Sequence, residues 1–180
     1  MPVYNYQKLR ATGNNNTELL KSLGNNHWGV FTGLFGLAAN EVLLVDALES
    51  DNIQSHPLAV ESEAWQPTAR PINISPCDKP GLYVFRRFHV READVDEVVA
   101  LSKEAWKTFE TSADYTTEPQ GLFLPPADDD GIVPMMLVTW YDGFDSWEIS
   151  RNPAPEAREN FSRRRDLTLQ TSAVATRLVI

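Results

Sequence analysis

The chain has one cysteine and three histidines in 180 residues, and those scarcities remove disulfide and cysteine-zinc chemistry. A lone Cys77 can form neither an internal disulfide nor a cysteine zinc cage. It lies in Ser75-Pro76-Cys77-Asp78-Lys79-Pro80, a linker-like stretch, and reads as a bystander thiol. His27, His56 and His89 show no His-x-x-His or His-Glu-x-x-His spacing, so no metal site is expected. No Gly-x-Gly-x-x-Gly, Walker loop or nucleophile elbow occurs, which leaves nucleotide cofactors and acyl-enzyme chemistry without support. No cofactor is therefore expected. No apolar run approaches the roughly 20 residues needed to cross a bilayer. Met1-Pro2-Val3-Tyr4 runs directly into a strand-like segment without a signal pattern, so a soluble cytoplasmic protein is expected.

Positive charge is also scarce. Lys and Arg number 16 against 25 Asp and Glu, a net charge of −9, and residues 1–75 and 76–180 are both acidic. Neither nucleic acid nor an anionic membrane surface is expected as a partner. The one dense basic run, Arg163-Arg164-Arg165, follows Glu156 and Glu159 and reads as a solvated helix face. Asp128-Asp129-Asp130-Gly131 lacks the spaced oxygens and terminal Glu of a calcium loop and reads as an exposed connection.

What the chain does have is an echo of its first half in its second. Tyr4-Asn5-Tyr6 is answered by Tyr83-Val84-Phe85, and Glu18-Leu19-Leu20 by Glu97-Val98-Val99. Gly33-Leu34-Phe35 recurs as Gly121-Leu122-Phe123, Leu44-Val45 as Leu137-Val138, and Thr68-Ala69-Arg70 loosely as Ala175-Thr176-Arg177. The order is kept while the offsets grow, as expected of one supersecondary unit used twice with longer connections in the later copy.

Local patterns fill in that unit. Residues 3–10 and 82–90 are rich in β-formers and read as opening strands. Asn16-Thr17-Glu18 starts a short helix that Gly24 ends. Asp94 and Glu97 resemble a capping box, followed by Val95, Val98, Val99, Ser102, Ala105, Trp106 and Phe109 at helical spacing. Strand pairs are expected at 28–37 with 41–48, and at 119–124 with 133–142. A helix near Pro153 or Pro155, capped by Asn152, then leads to a closing strand at 173–179. The equivalent region of the first copy, 49–65, is shorter, so its helix is expected to be stunted or replaced by loop before a closing strand near 67–73. The order βαββαβ is the ferredoxin-like unit. Two copies, 1–75 and 76–180, can bury their sheets against each other as an intrachain pseudo-dimeric α+β barrel. Oligomeric state is left open between a monomer with internal pseudo-symmetry and a homodimer.

The second half resembles the NIPSNAP family, within the wider dimeric α+β barrel group. The resemblance rests on Tyr83-Val84-Phe85-Arg86-Arg87-Phe88 and on the helix Leu101-Ser102-Lys103-Glu104-Ala105-Trp106-Lys107-Thr108-Phe109-Glu110. Ser146-Trp147-Glu148-Ile149-Ser150-Arg151, Phe161-Ser162-Arg163-Arg164-Arg165 and Thr176-Arg177-Leu178 complete it. It implies the barrel fold and no fixed catalytic constellation. The wider group includes cofactor-independent monooxygenases, lactone isomerases and haem-degrading enzymes.

With the chamber expected between the two sheets, the ligand-binding candidates are Arg86, Trp140, Arg177, His27 and Trp106. An arginine in an apolar chamber binds a carboxylate or stabilises an enolate-like oxyanion. Arg86 is mid-strand, and the echo pairs Arg177 with Arg70. Trp106 is on the inward helix face. Trp140 and Tyr141 end a strand and point to opposite faces, so one of them reaches the chamber. His27 beside Trp28 is a candidate general base, and His89 a candidate haem ligand. The expected function is binding of a small, mostly apolar organic molecule between the sheets, with cofactor-independent oxidation or isomerisation as the chemistry. The alternatives are a non-enzymatic interaction module with a solid barrel core, and a haem-binding protein.

Overall fold

The computed structural model describes residues 2–49, 53–126 and 131–179. The acidic run Asp128-Asp129-Asp130 lies outside the described residues. The first half contributes β1 (Val3–Arg10), α1 (Thr17–Ser22), β2 (Gly29–Phe35), β3 (Glu41–Leu48) and β4 (Ala59–Arg70). The second contributes β5 (Leu82–Arg91), a 3-10 turn at Glu92–Asp94, α2 (Val95–Phe109), β6 (Thr117–Leu124) and β7 (Ile132–Tyr141). It ends with α3 (Phe144–Ile149), α4 (Pro155–Asp166) and β8 (Thr168–Leu178).

The eight strands close into one antiparallel barrel in the order β1-β3-β2-β8-β5-β7-β6-β4. Each half keeps the ferredoxin-like order, closing strand–first–third–second, and β2–β8 and β4–β6 form the two seams. The second half is βαββααβ. Among the described residues the first half has no second helix. Its closing strand starts at Ala59, well before the expected 67–73, because Ala59–Trp65 already pairs with β1.

Strand pairing tests the echo residue by residue. Tyr6 opposite Val45 matches Phe85 opposite Val138, so the first and third strands correspond as the sequence suggests. The second strands do not. Gly29 opposite Val45 matches Gly121 opposite Val138, which makes Gly29-Val30-Phe31, and not Gly33-Leu34-Phe35, the counterpart of Gly121-Leu122-Phe123. The closing strands also slip. Tyr4 opposite Trp65 matches Tyr83 opposite Thr176, so Arg177 corresponds to Gln66 and its pairing with Arg70 fails.

The helix ends differ from expectation as well. Neither Asp94 nor Asn152 caps through its side chain: Ala154 precedes α4, with Pro155 in its first turn. Glu97 instead bonds Arg163 across to α4. The buried face of α2 is Val98, Ser102, Ala105, Trp106 and Phe109, as its periodicity requires.

Candidate functional site

The space between the two four-stranded sheets is full. Tyr4, Trp28, Phe31, Trp65, Tyr83 and Phe123 meet there with other apolar residues, in one cluster drawing on all eight strands. Phe31 packs against Tyr83 and Phe85 with ring centroids 5.1 and 5.0 Å apart, and Tyr4 against Phe123 at 5.0 Å. Such pairs add about 0.5–1.5 kcal/mol each beyond their burial. The expected chamber between the sheets is thus a packed core. Large inward aromatics from both halves fill the volume that smaller side chains would leave open.

A cavity of about 690 Å³ lies instead on the outer face of the second half, under its helices. Outward residues of β5 (Val84, Arg86, Phe88) and β7 (Leu137, Thr139, Tyr141) form its floor. Trp106 and Phe109 of α2 form one wall. Phe161, Arg164 and Arg165 of α4 form another, and Arg151 and Arg158 reach it from the α3–α4 connection and α4. The outer face of the second half carries the longer helical layer, which spans the sheet without sealing against it.

The cavity's electrostatics are one-sided. Among the described residues its lining holds five arginines and no Asp or Glu. Arg86 is half-buried and has neither an ion pair nor a hydrogen bond among the described residues. Burial pulls its basicity down, and the nearby charge of Arg151 adds to that. Arg164 is half-buried too; Nη1 donates to Ser102 Oγ at 3.2 Å, and the guanidinium stands 4.9 Å from the Phe161 ring centre. Burial first, then Arg86, push it down to about 10. Burial raises the Tyr141 phenol, against the opposing pull of Arg86.

Of the five candidates, Arg86 and Trp106 line this cavity together. Trp106 is backed by Arg70, whose guanidinium lies 5.0 Å from its ring centre and pairs with Glu110. Trp140 turns inward, 9% exposed, with Nε1 donating to Pro80 O at 3.1 Å, and so is a core residue. Its neighbour Tyr141 is the one that reaches the cavity. Arg177 is exposed and borders a separate hollow of about 310 Å³ beside Gly81 and Phe144. His27 is at neither place; its Nδ1 lies 2.5 Å from Asp46 Oδ1. No histidine lines the cavity. His89 shares the inward face of Phe85 and Arg87, its Nδ1 buried without a partner among the described residues. Trp147 packs with the helices and is overlain by Arg151 at 5.6 Å. Burial pushes the Cys77 thiol up to about 12, consistent with an inert role.

Sequence reasoning missed Arg164, read as part of a solvated run. The run splits: Arg163 and Arg165 are exposed, while Arg164 turns under the helix. Its i+3 spacing from Phe161 was the available signal.

In the first half the same outer face is closed. Gln7, which stands where Arg86 stands, is 1% exposed, and its Oε1 accepts from His56 N at 2.6 Å. Asn5 donates to Gln54 O at 3.2 Å. Residues 53–58 lie on the sheet there and satisfy these polar groups.

No protein-family model matches the chain, and no curated protein matches it. Solved structures do. An uncharacterized ferredoxin-fold protein related to antibiotic biosynthesis monooxygenases, from Listeria monocytogenes, superposes with TM-score 0.62 at 10% identity, over 100% of this chain and 96% of that one. An anthrone oxidase-like protein gives 0.62 at 14% identity, over 99% and 91%. A haem-degrading enzyme from Listeria monocytogenes gives 0.52 at 11% identity, over 97% and 98%. The likeness covers both halves, and at these identities it concerns fold. The chain is an eight-stranded ferredoxin-like α+β barrel, built on the fold these monooxygenase-like and haem-degrading proteins share.

Proposed function

We propose that this protein binds a small, mostly apolar organic molecule in the cavity between the outer face of β5 and β7 and the helices α2 and α4. The observation that carries the reading is the cavity itself: about 690 Å³, walled by aromatic side chains, with the half-buried Arg86 on its floor. Pockets of that size and lining hold drug-sized ligands. The chemistry it suits is cofactor-independent oxidation or isomerisation of a carbon acid. Arg86 stabilises the enolate-like anion left when the substrate's own carbon loses a proton to solvent water at the open mouth. In the oxidation, dioxygen is the oxidant: a CH₂ carbon becomes a carbonyl, and the second oxygen atom leaves as water. The monooxygenase-like and anthrone oxidase-like neighbours support this choice by fold. The NIPSNAP resemblance agrees with the fold and assigns no residue a role.

The competing reading is an interaction protein with a solid barrel. The packed interior meets that reading's requirement, so the outer cavity decides between them. Titration with the neutral fluorophore N-phenyl-1-naphthylamine tests it. One molecule per chain is expected to bind, and Ala173→Trp, at the cavity's edge on β8, is expected to abolish binding. No saturable binding, or binding indifferent to Ala173→Trp, would leave the interaction reading standing.

A further inference from the structure

We propose that the ligand of this cavity is an organic anion: a flat apolar molecule bearing a carboxylate, sulfonate or ionised phenol that is held by Arg86 and Arg164. The inference rests on the cavity being a ligand site and adds the class of ligand. Five of the chain's sixteen Lys and Arg residues line this one cavity, with no acid beside them among the described residues, in a protein of net charge −9. Elsewhere the pattern is the reverse. Arg10, Arg70, Arg87, Lys8 and Lys79 each meet a carboxylate within ion-pair reach.

The five arginines fall into two tiers. Arg151, Arg158 and Arg165 are exposed at the mouth, and their donors are turned to local oxygens at most: Arg158 to Pro153 O, Arg165 to Ser162 Oγ. Arg86 and Arg164 are half-buried beneath them and repel each other. Two like charges held in a partly desolvated pocket cost free energy that a bound anion relieves. The planar guanidinium fork suits carboxylate or sulfonate oxygens. Phe88, Phe161, Trp106 and Phe109 supply flat apolar contact for the rest of the molecule. The exposed tier draws anions toward the mouth against the repulsive field of the whole chain.

A matched pair of probes tests this. 1-Anilinonaphthalene-8-sulfonate carries the same fused aromatic frame as N-phenyl-1-naphthylamine plus one fixed negative charge. On the unchanged protein the sulfonate is expected to bind about a hundredfold tighter than the neutral probe, the scale of two charge-assisted hydrogen bonds. That preference should shrink as salt is raised. Arg86→Met and Arg164→Met should each weaken the sulfonate about tenfold and leave the neutral probe within about twofold. Equal affinity for the two probes, or a sulfonate preference indifferent to salt, overturns the inference while the cavity reading stands. Failure of both probes overturns the cavity reading and this inference with it. If either variant does not fold, the salt titration on the unchanged protein decides.

Discussion

Arg86 and Arg87 are adjacent in β5 and face opposite sides of the same sheet. Arg86 reaches the outer cavity. Arg87 points into the barrel mouth, where Nη2 lies 2.9 Å from Glu61 and 2.8 Å from Glu63, and its guanidinium sits 4.5 Å from the Tyr6 ring centre. Arg87→Met would leave two carboxylates facing each other there. A loss of about 1–3 kcal/mol is expected at neutral pH, below the range for a fully buried pair because these groups are partly solvated. Urea unfolding of the variant measures it. The same site sets an acid limb. Burial alone would raise Glu61, but hydrogen bonding from Lys8 and the charge of Arg87 overcome it and hold the carboxyl below its ordinary 4.5. Glu41 is held low in the same sense, chiefly by the Ala38 N–H at 2.9 Å. A depressed folded value means the stabilisation is complete above about pH 4.5 and is lost as pH falls through the folded value. Glu61→Gln should therefore flatten the acid side of the stability profile and leave its neutral slope unchanged.

At the scale of the element, alternation was legible and register was not. The runs at 3–10, 41–48 and 82–90 carry enough β-branched and aromatic residues to mark strands, and α2 declares itself by spacing. The second strand was misaligned because Gly-Leu-Phe at 33–35 mimics the true counterpart, Gly29-Val30-Phe31. In both copies glycine makes room for an inward ring. A Cβ on Gly121 would stand 2.2 Å from the Phe123 ring, and one on Gly29 would stand 2.4 Å from Phe31. Phe123 is 1% exposed and packed on Tyr4 and Trp28, so it has nowhere to move. Gly121→Ala is expected to cost about 1–3 kcal/mol as overpacking, seen as a lowered melting temperature. Little loss would show that the ring can shift, and that the core is softer than its contacts imply.

For the whole molecule, the seams β2–β8 and β4–β6 make each half the lid of the other. Residues 1–75 and 76–180, as the proposed units, would each expose an inner face of aromatics if separated, and exposed apolar patches drive association. Expressed singly, the pieces should aggregate. Expressed together, they should reassemble into a particle with the size and circular dichroism of the intact chain, since β2–β8 and β4–β6 supply the missing edges. A second half that folds alone as a monomer would refute that division of labour. Asymmetry belongs to this scale too. Gln7 and Arg86 occupy matching places, yet only Arg86 overlooks a cavity, because the 53–58 connection lies flat where α4 arches in the second half.

The strands, the twofold use of a ferredoxin-like unit, the buried face of α2, and Arg86 and Trp106 as residues worth naming are legible in the chain alone. These follow from periodicity and β-propensity, which are local. Tertiary packing alone settles which side of the sheet holds space. Strand alternation assigns residues to two faces without saying which face is filled, and filling depends on the summed volume of aromatics arriving from eight strands. It likewise decided that Arg164 belongs with Arg86 while Trp140, Arg177 and His27 do not, since those placements depend on register and on how far a helix stands from the sheet beneath it.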